Sequence, residues 1–211
     1  MIKCIKICGI SDFKTLKHII EHPCPPQFIG FICNYINSKR YVNFDKLVKL
    51  INIDKKNISF VAVLVDPEDS FLEKIKNLNF DYFQLYDVSP EKTKTIKKKY
   101  NKKIITSLTI ENKKDVEKYK NYQNHSEIIN FDSKGYEKSI GFDHSLLEDV
   151  PRSINKMIAG NIKIENIPDF KNTPYIIDVS GALESKKGVK DTNKIDKFTV
   201  KKTQQFYRFL R

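Results

Sequence analysis

The stretch Ile2-Lys3-Cys4-Ile5-Lys6-Ile7-Cys8-Gly9-Ile10 decides how this chain is read. Its short apolar alternation predicts a β-strand over Ile2–Ile7. A thiol, Cys8, stands where that strand stops, and Gly9 lets the backbone turn sharply after it. Strand ends are where α/β proteins carry their chemistry. A thiol is one of the few side chains able to act as base or nucleophile near neutral pH, although many free cysteines are simply small buried hydrophobes. The period of two places Cys4, Lys6 and Cys8 on one face. Lys6 is therefore expected inside, just beneath Cys8, where its ammonium either favours the thiolate or pairs with an interior carboxylate.

The same strand-then-helix pattern repeats along the chain. Further strand-like runs lie at Gln27–Ile32, Ile58–Val65, Tyr82–Tyr86, Lys103–Leu108, Glu127–Phe131, Asn155–Ala159 and Tyr175–Val179. Helix spacing predicts helices over Asp12–Glu21, Asn43–Ile51, Glu68–Leu78, Ser89–Tyr100 and Glu111–Tyr122, with a long last helix over Asn193–Phe209. In that last helix Ile195, Phe198, Phe206 and Phe209 are available for packing. Ser89-Pro90-Glu91 reads as an N-cap followed by proline at the first helical position. The sixth and seventh crossovers, around Ser145–Leu147 and Ile164–Phe170, are short. Eight strands starting roughly 20–30 residues apart predict an α/β fold, a (β/α)8 TIM barrel with short crossovers in units six and seven. No linker or low-complexity segment interrupts it, so residues 1–211 are expected to form one barrel domain. A doubly wound open sheet is the alternative. It lacks its phosphate signatures here, since neither G-x-G-x-x-G after the first strand nor GxxxxGK[ST] occurs.

Composition narrows the function. With 40% apolar and 30% charged residues the chain is globular rather than disordered. No apolar run approaches the roughly 20 residues of a membrane helix, and no secretory signal precedes the first strand. The four cysteines, Cys4, Cys8, Cys24 and Cys33, include no CxxC pair. Reduced thiols and a cytoplasmic location are the expectation. The net charge of +12 comes from scattered lysines, and the arginines are only Arg40, Arg152, Arg208 and Arg211. That is a solvated surface rather than a compact nucleic-acid stripe, so no nucleic-acid or membrane partner is expected. Its field would still steer a small anionic substrate inward. His18, His22, His125 and His144 do not cluster, so no metal site and no cofactor are expected.

In a barrel the chemistry sits at the C-terminal ends of the strands. The polar residues there are Cys8; Cys33, Asn34, Ser38 and Arg40; Asp66; Gln84 and Asp87; Thr106 and Ser107; Asn130, Asp132 and Ser133; Gly160 and Asn161; and Asp178, Ser180 and Gly181.

In order along the chain, these pieces resemble the phosphoribosylanthranilate isomerase family of tryptophan biosynthesis. The resemblance rests on Lys6-Ile7-Cys8-Gly9-Ile10, Gly30-Phe31-Ile32 with Ser38-Lys39-Arg40-Tyr41-Val42, Val61–Val65, Gln84-Leu85 and Asp132-Ser133. It continues through Ala159-Gly160 with Glu165-Asn166, then Asp178-Val179-Ser180, Glu184, Gly188 and Lys190-Asp191. The resemblance implies an Amadori rearrangement with Cys8 as general base and Asp132 as general acid. It also implies that Arg40 pairs with the anthranilate carboxylate and that phosphate sits near Gly160 and Gly181, with Asn161 also in the substrate-binding set. Gln84, Asp178 and Ser180 complete the expected substrate-binding set. The partner implied is a small anionic phosphosugar, with monomer and homodimer both open.

The chain departs from the family pattern in four places. Gln-Leu-His-Gly is here Gln84-Leu85-Tyr86-Asp87, and the loop after Asp132 is shortened to Lys134–Gly141. A double glycine becomes Gly160-Asn161, and Ser-Ser-Gly becomes Ser180-Gly181-Ala182. Asn161 can adopt a left-handed conformation, whereas Ala182 would be strained if its φ were positive. These departures motivate two alternatives: a barrel isomerase acting on a different phosphosugar or amino-sugar, and a non-catalytic barrel homologue.

Overall fold

Alternation along each strand closes the sheet. The computed structural model describes residues 4–134, 141–163, 165 and 175–207, with side chains as far as Thr199. Its strands are β1 (Cys4–Cys8), β2 (Phe28–Ile32), β3 (Ser59–Val65), β4 (Tyr82–Tyr86), β5 (Lys103–Ile110), β6 (Ile128–Ser133), β7 (Lys156–Ile158) and β8 (Ile176–Val179). They form a closed parallel barrel in chain order, with β8 pairing back onto β1. A two-stranded antiparallel hairpin, β9 (Glu184–Lys186) and β10 (Val189–Lys190), follows β8.

One set of side chains fills the barrel and the other packs beneath the helices. Inside lie Phe28, Val61, Val63, Tyr86, Ile105, Ile128, Met157 and Ile176, with Cys4 and Cys8 against them. Outside, Ile7, Ile29, Phe31, Phe60, Phe83, Ile129 and Phe131 join Leu16, Leu47, Leu72, Ile96, Ile195 and Phe198 from the helices. The expected inward face of β1 is the observed one, because Lys6 is fully buried and meets Asp178 across the β1–β8 seam.

The helices are α1 (Phe13–Glu21), α2 (Phe44–Ile51), α3 (Asp69–Ile75), α4 (Pro90–Tyr100), α5 (Lys113–Glu117), α6 (Tyr119–Tyr122) and α7 (Thr192–Tyr207). Asp12, Asn43 and Ser89 cap α1, α2 and α4, accepting from Thr15, Lys46 and Lys92 backbone N–H groups at 2.8, 2.9 and 3.2 Å. These caps lie on the connections that leave the C-terminal rim, so they also fix its loops.

Three expected elements differ. The helix read as Glu68–Leu78 stops at Ile75, where Leu78 N–H bonds Ile75 O in a tighter three-residue turn. The helix read as Glu111–Tyr122 breaks at Lys118, whose N–H bonds Asp115 O in the same way. Strand β6 runs on to Ser133, so Asp132 lies on the strand itself. The sixth crossover is a single 3-10 turn, His144–Leu147. Apart from Glu165, the seventh (Ile164–Phe170) lies outside the described residues, as do the side chains of Phe206 and Phe209. Among the described residues no helix is long and apolar enough to cross a membrane, and no group of three potential ligands could hold a metal ion.

Candidate active site

Lys6 and Cys8 occupy adjacent inward positions on β1, and β2 leaves room for them by placing Gly30 opposite Cys8. A methyl group at Gly30 would stand 2.9 Å from Cys8 Sγ and 3.1 Å from Lys6 Nζ. The Lys6 ammonium donates to Asp178 Oδ2 at 2.7 Å and lies beside the Cys8 thiol. Burial disfavours its charge, but Asp178 and Cys8 outweigh that and hold Lys6 above its ordinary range. Lys6 is thus the ion-pair partner of Asp178, and its charge also favours the Cys8 thiolate without offsetting burial. Burial pushes Cys8 itself up, opposed by the charges of Lys6 and Lys190.

The opposite wall is β6. Burial raises Asp132 to about 6 even though it accepts a hydrogen bond from Tyr86, and the neighbouring Asp178 carboxylate adds to the rise. Asp132 is thus a carboxyl able to hold a proton near neutrality. Tyr86 Oη donates to Asp132 Oδ2 at 2.8 Å.

Cys8, Arg40, Asp132, Gly160, Asn161, Asp178, Ser180 and Gly181 line one cavity of about 480 Å³ at the C-terminal rim. Ser180 Oγ donates to the Cys8 carbonyl at 3.0 Å, tying β8 to the end of β1. Gly160 and Asn161 both take positive φ, 89° and 49°, so asparagine stands in a left-handed position that it tolerates. Ala182 has no positive φ; it lies in the 3-10 turn Gly181–Leu183 and carries no backbone strain.

Arg40 arrives from the loop after β2 and passes over Gly9. A side chain at Gly9 would strike Arg40 Cδ, and φ there is +77°. The guanidinium grips Glu184 with Nε at 2.6 Å and Nη2 at 3.1 Å. Lys190 Nζ donates to the same carboxylate at 2.9 Å and to Ser180 O at 3.0 Å. Burial opposes the charge on Glu184, but Arg40, Lys190 and the Gly188 N–H bring it down to about 2. The β9–β10 hairpin therefore acts as a clamp that fixes where Arg40 sits.

Gln84, expected to touch substrate, does not reach the cavity. Alternation puts it two residues deeper than Tyr86, fully buried, with Nε2 donating to Tyr86 Oη at 3.2 Å and Ser107 Oγ at 2.9 Å. Other strand-end residues have structural duties. Asn34 clamps Val65 through both its backbone groups, Cys33 packs in the outer core, and Asp66 faces solvent and pairs with Lys92. His18 braces α1 against Asp196 of α7, away from the site. Sequence reasoning missed Tyr35, Tyr86 and Lys163 as cavity-lining groups. For Tyr86 the signal was present, since a residue two beyond an inward Gln84 on a strand faces inward at the rim.

Comparison with known proteins follows the same outline. Residues 5–201 match the family profile described as N-(5'phosphoribosyl)anthranilate (PRA) isomerase. A relative named N-(5'-phosphoribosyl)anthranilate isomerase from Rhizobium leguminosarum bv. trifolii is 32% identical over 205 residues, covering 92% of this chain and 91% of its own. One of the same name from Sulfurihydrogenibium is 30% identical, covering 92% and 96%. Among solved structures, phosphoribosyl anthranilate isomerase from Thermotoga maritima superposes with a TM-score of 0.83 at 24% identity, covering 97% of this chain and 99% of that one. A phosphoribosyl anthranilate isomerase in complex with reduced 1-(o-carboxyphenylamino)-1-deoxyribulose 5-phosphate gives 0.80 at 23% identity, covering 94% and 97%.

Proposed function

The chain belongs to the N-(5'-phosphoribosyl)anthranilate isomerase family, and from that premise we propose that Cys8 and Asp132 are the base and acid of its reaction. The enzyme converts N-(5'-phosphoribosyl)anthranilate to 1-(2-carboxyphenylamino)-1-deoxyribulose 5-phosphate. Asp132 protonates the ribose ring oxygen and the C1′–O bond breaks, leaving a Schiff base. Cys8, as thiolate, removes the C2′ proton to give an enolamine. C1′ then gains a proton and the 2′-hydroxyl loses one, giving the ketose. The observation that carries this reading is the meeting of Cys8 and Asp132 on one cavity that also presents Arg40.

The remaining residues supply grip. Arg40, a planar guanidinium, suits the anthranilate carboxylate. The backbone around Gly160, Asn161 and Gly181 takes the phosphate, consistent with the anion sites of barrel rims. Asp178 lines the same cavity, and its carboxylate suits a ribose hydroxyl as hydrogen-bond acceptor. The test is growth of a tryptophan auxotroph lacking this step. The chain should restore growth, and failure of a well-folded, expressed protein to do so refutes the reading. An Arg40→Ala enzyme should raise KM roughly 10-fold or more with a smaller change in kcat. An unchanged KM removes Arg40 from the carboxylate.

A further inference from the structure

Beneath Asp132 the barrel interior is polar where an apolar layer would pack more cheaply. Gln84 Nε2 and Asn130 Nδ2 both point at Tyr86 Oη, at 3.2 and 3.4 Å, and both also donate to Ser107 Oγ, at 2.9 and 3.1 Å. Gln84 and Asn130 are fully buried. Their own carbonyl oxygens, Gln84 Oε1 and Asn130 Oδ1, are buried without partners, which is unfavourable. Two buried amides thus converge on the Tyr86–Ser107 pair directly beneath Asp132.

The direction of the phenol proton follows from hydrogen-bond bookkeeping. A phenol oxygen has one proton to give and accepts through its lone pairs. With amide N–H groups from β4 and β6 directed at the oxygen and Ser107 beside it, the phenol proton goes to the carboxylate, Asp132 Oδ2 at 2.8 Å. Burial, with the charges of Asp132, Asp178 and Cys8, holds the phenol well above its ordinary range, so it stays a donor. We propose that Tyr86 is a positioning residue for the acid: clamped by Gln84 and Asn130, its hydroxyl engages Asp132 Oδ2 and leaves the transferable proton to Oδ1. Tyr86 stands where the family pattern has histidine, and an imidazole N–H can fill the same role.

The inference rests on Asp132 being the acid. The charged and titratable groups facing Asp132 are Tyr86 from β4, Asp178 from β8 and Lys6 from β1. Of these, Tyr86 alone is altered in the test. A hydrogen bond from a neutral donor favours the ionised carboxyl, so Tyr86→Phe raises the Asp132 titration by about one pH unit. Two readouts report it: the low-pH limb of kcat/KM, and the carboxyl carbon shift of Asp132 in carbon-13-labelled protein. Both should move up together, kcat should fall roughly 10- to 100-fold, and Tyr86→His should restore most of the loss. A folded Tyr86→Phe enzyme with neither titration moved overturns the proposal. If Tyr86→Phe does not fold, Gln84→Met decides. Loosening the amide clamp should shift the same limb upward by less, and a folded Gln84→Met enzyme with a wild-type limb and kcat overturns it equally. Asp132→Asn separates the two failures. A fully active Asp132→Asn enzyme refutes the acid assignment, whereas a dead one beside an unaffected Tyr86→Phe enzyme refutes only the positioning role.

Discussion

At the scale of single residues, the site runs its two titrating groups against their surroundings. Asp132 favours its proton up to about pH 6 because burial outweighs the help from Tyr86. Cys8 favours its proton still higher because burial outweighs Lys6. In the proposed mechanism the productive form, with Asp132 protonated and Cys8 ionised, is therefore a minor species. Its abundance is flat between the two titrations, so kcat/KM should be bell-shaped, with Asp132 on the low-pH limb and Cys8 on the high-pH limb. The same shift has a stability consequence. A carboxyl whose folded titration lies above its unfolded one binds more protons folded than unfolded between roughly pH 4 and 6. Stability falls as pH rises through that window, and Asp132 weakens the fold at neutrality. Asp132→Asn should therefore be inactive yet more stable at pH 7, by of order 1–3 kcal/mol in denaturant melts, with the gain fading below about pH 4. An Asp132→Asn protein less stable than wild type at pH 7 contradicts a buried, strained acid.

At the scale of elements, strand ends hold Cys8, Tyr86, Asp132 and Asp178, and the loops that follow the strands bring Arg40, Gly160, Asn161 and Gly181 to the same cavity. Strand β2 contributes an absence: Gly30 opposite Cys8 leaves the volume that Lys6 and Cys8 share. Gly30→Ala would press a methyl against Cys8 Sγ and Lys6 Nζ in a close-packed interior. It should cost about 1–3 kcal/mol and lower kcat roughly 10-fold or more by displacing the thiol. Undiminished kcat in Gly30→Ala would mean that the placement of Cys8 tolerates more movement than this packing allows. The β9–β10 hairpin works differently, holding Arg40 through two hydrogen bonds that its guanidinium donates to a chain-distant carboxylate, Glu184. That pairing was not legible in the sequence. Neither residue's type nor its local spacing specifies a partner 144 positions away. Gln84 fails to reach the cavity for a related reason: strand-end position does not specify depth, and a two-residue step separates the cavity wall from the layer below. What was legible rested on local rules that the fold does not override. Alternation placed Lys6 beneath Cys8, the Ser89 cap began its helix, and asparagine proved acceptable at a left-handed position.

At the scale of the whole molecule, barrel closure brings residues from β1 and β6 to one rim. Strand β8 pairs with β1, and the Lys6–Asp178 contact forms across that seam. The chemistry therefore depends on closure. Breaking the seam would leave a buried ion pair incomplete and separate the two walls of the cavity at once. A net charge of +12 surrounds a cavity that carries Arg40 and Lys163, a field suited to drawing in a substrate bearing a carboxylate and a phosphate. The central claim is that a thiol and a carboxyl group on opposite walls of this one cavity divide the proton transfers between them. The most direct measurement is kcat on phosphoribosylanthranilate, followed by loss of its fluorescence, for Cys8→Ser and Asp132→Asn enzymes shown by circular dichroism to be folded. Each should lose at least roughly 1,000-fold. Turnover within about 10-fold of wild type for either variant would contradict the division of labour proposed for Cys8 and Asp132.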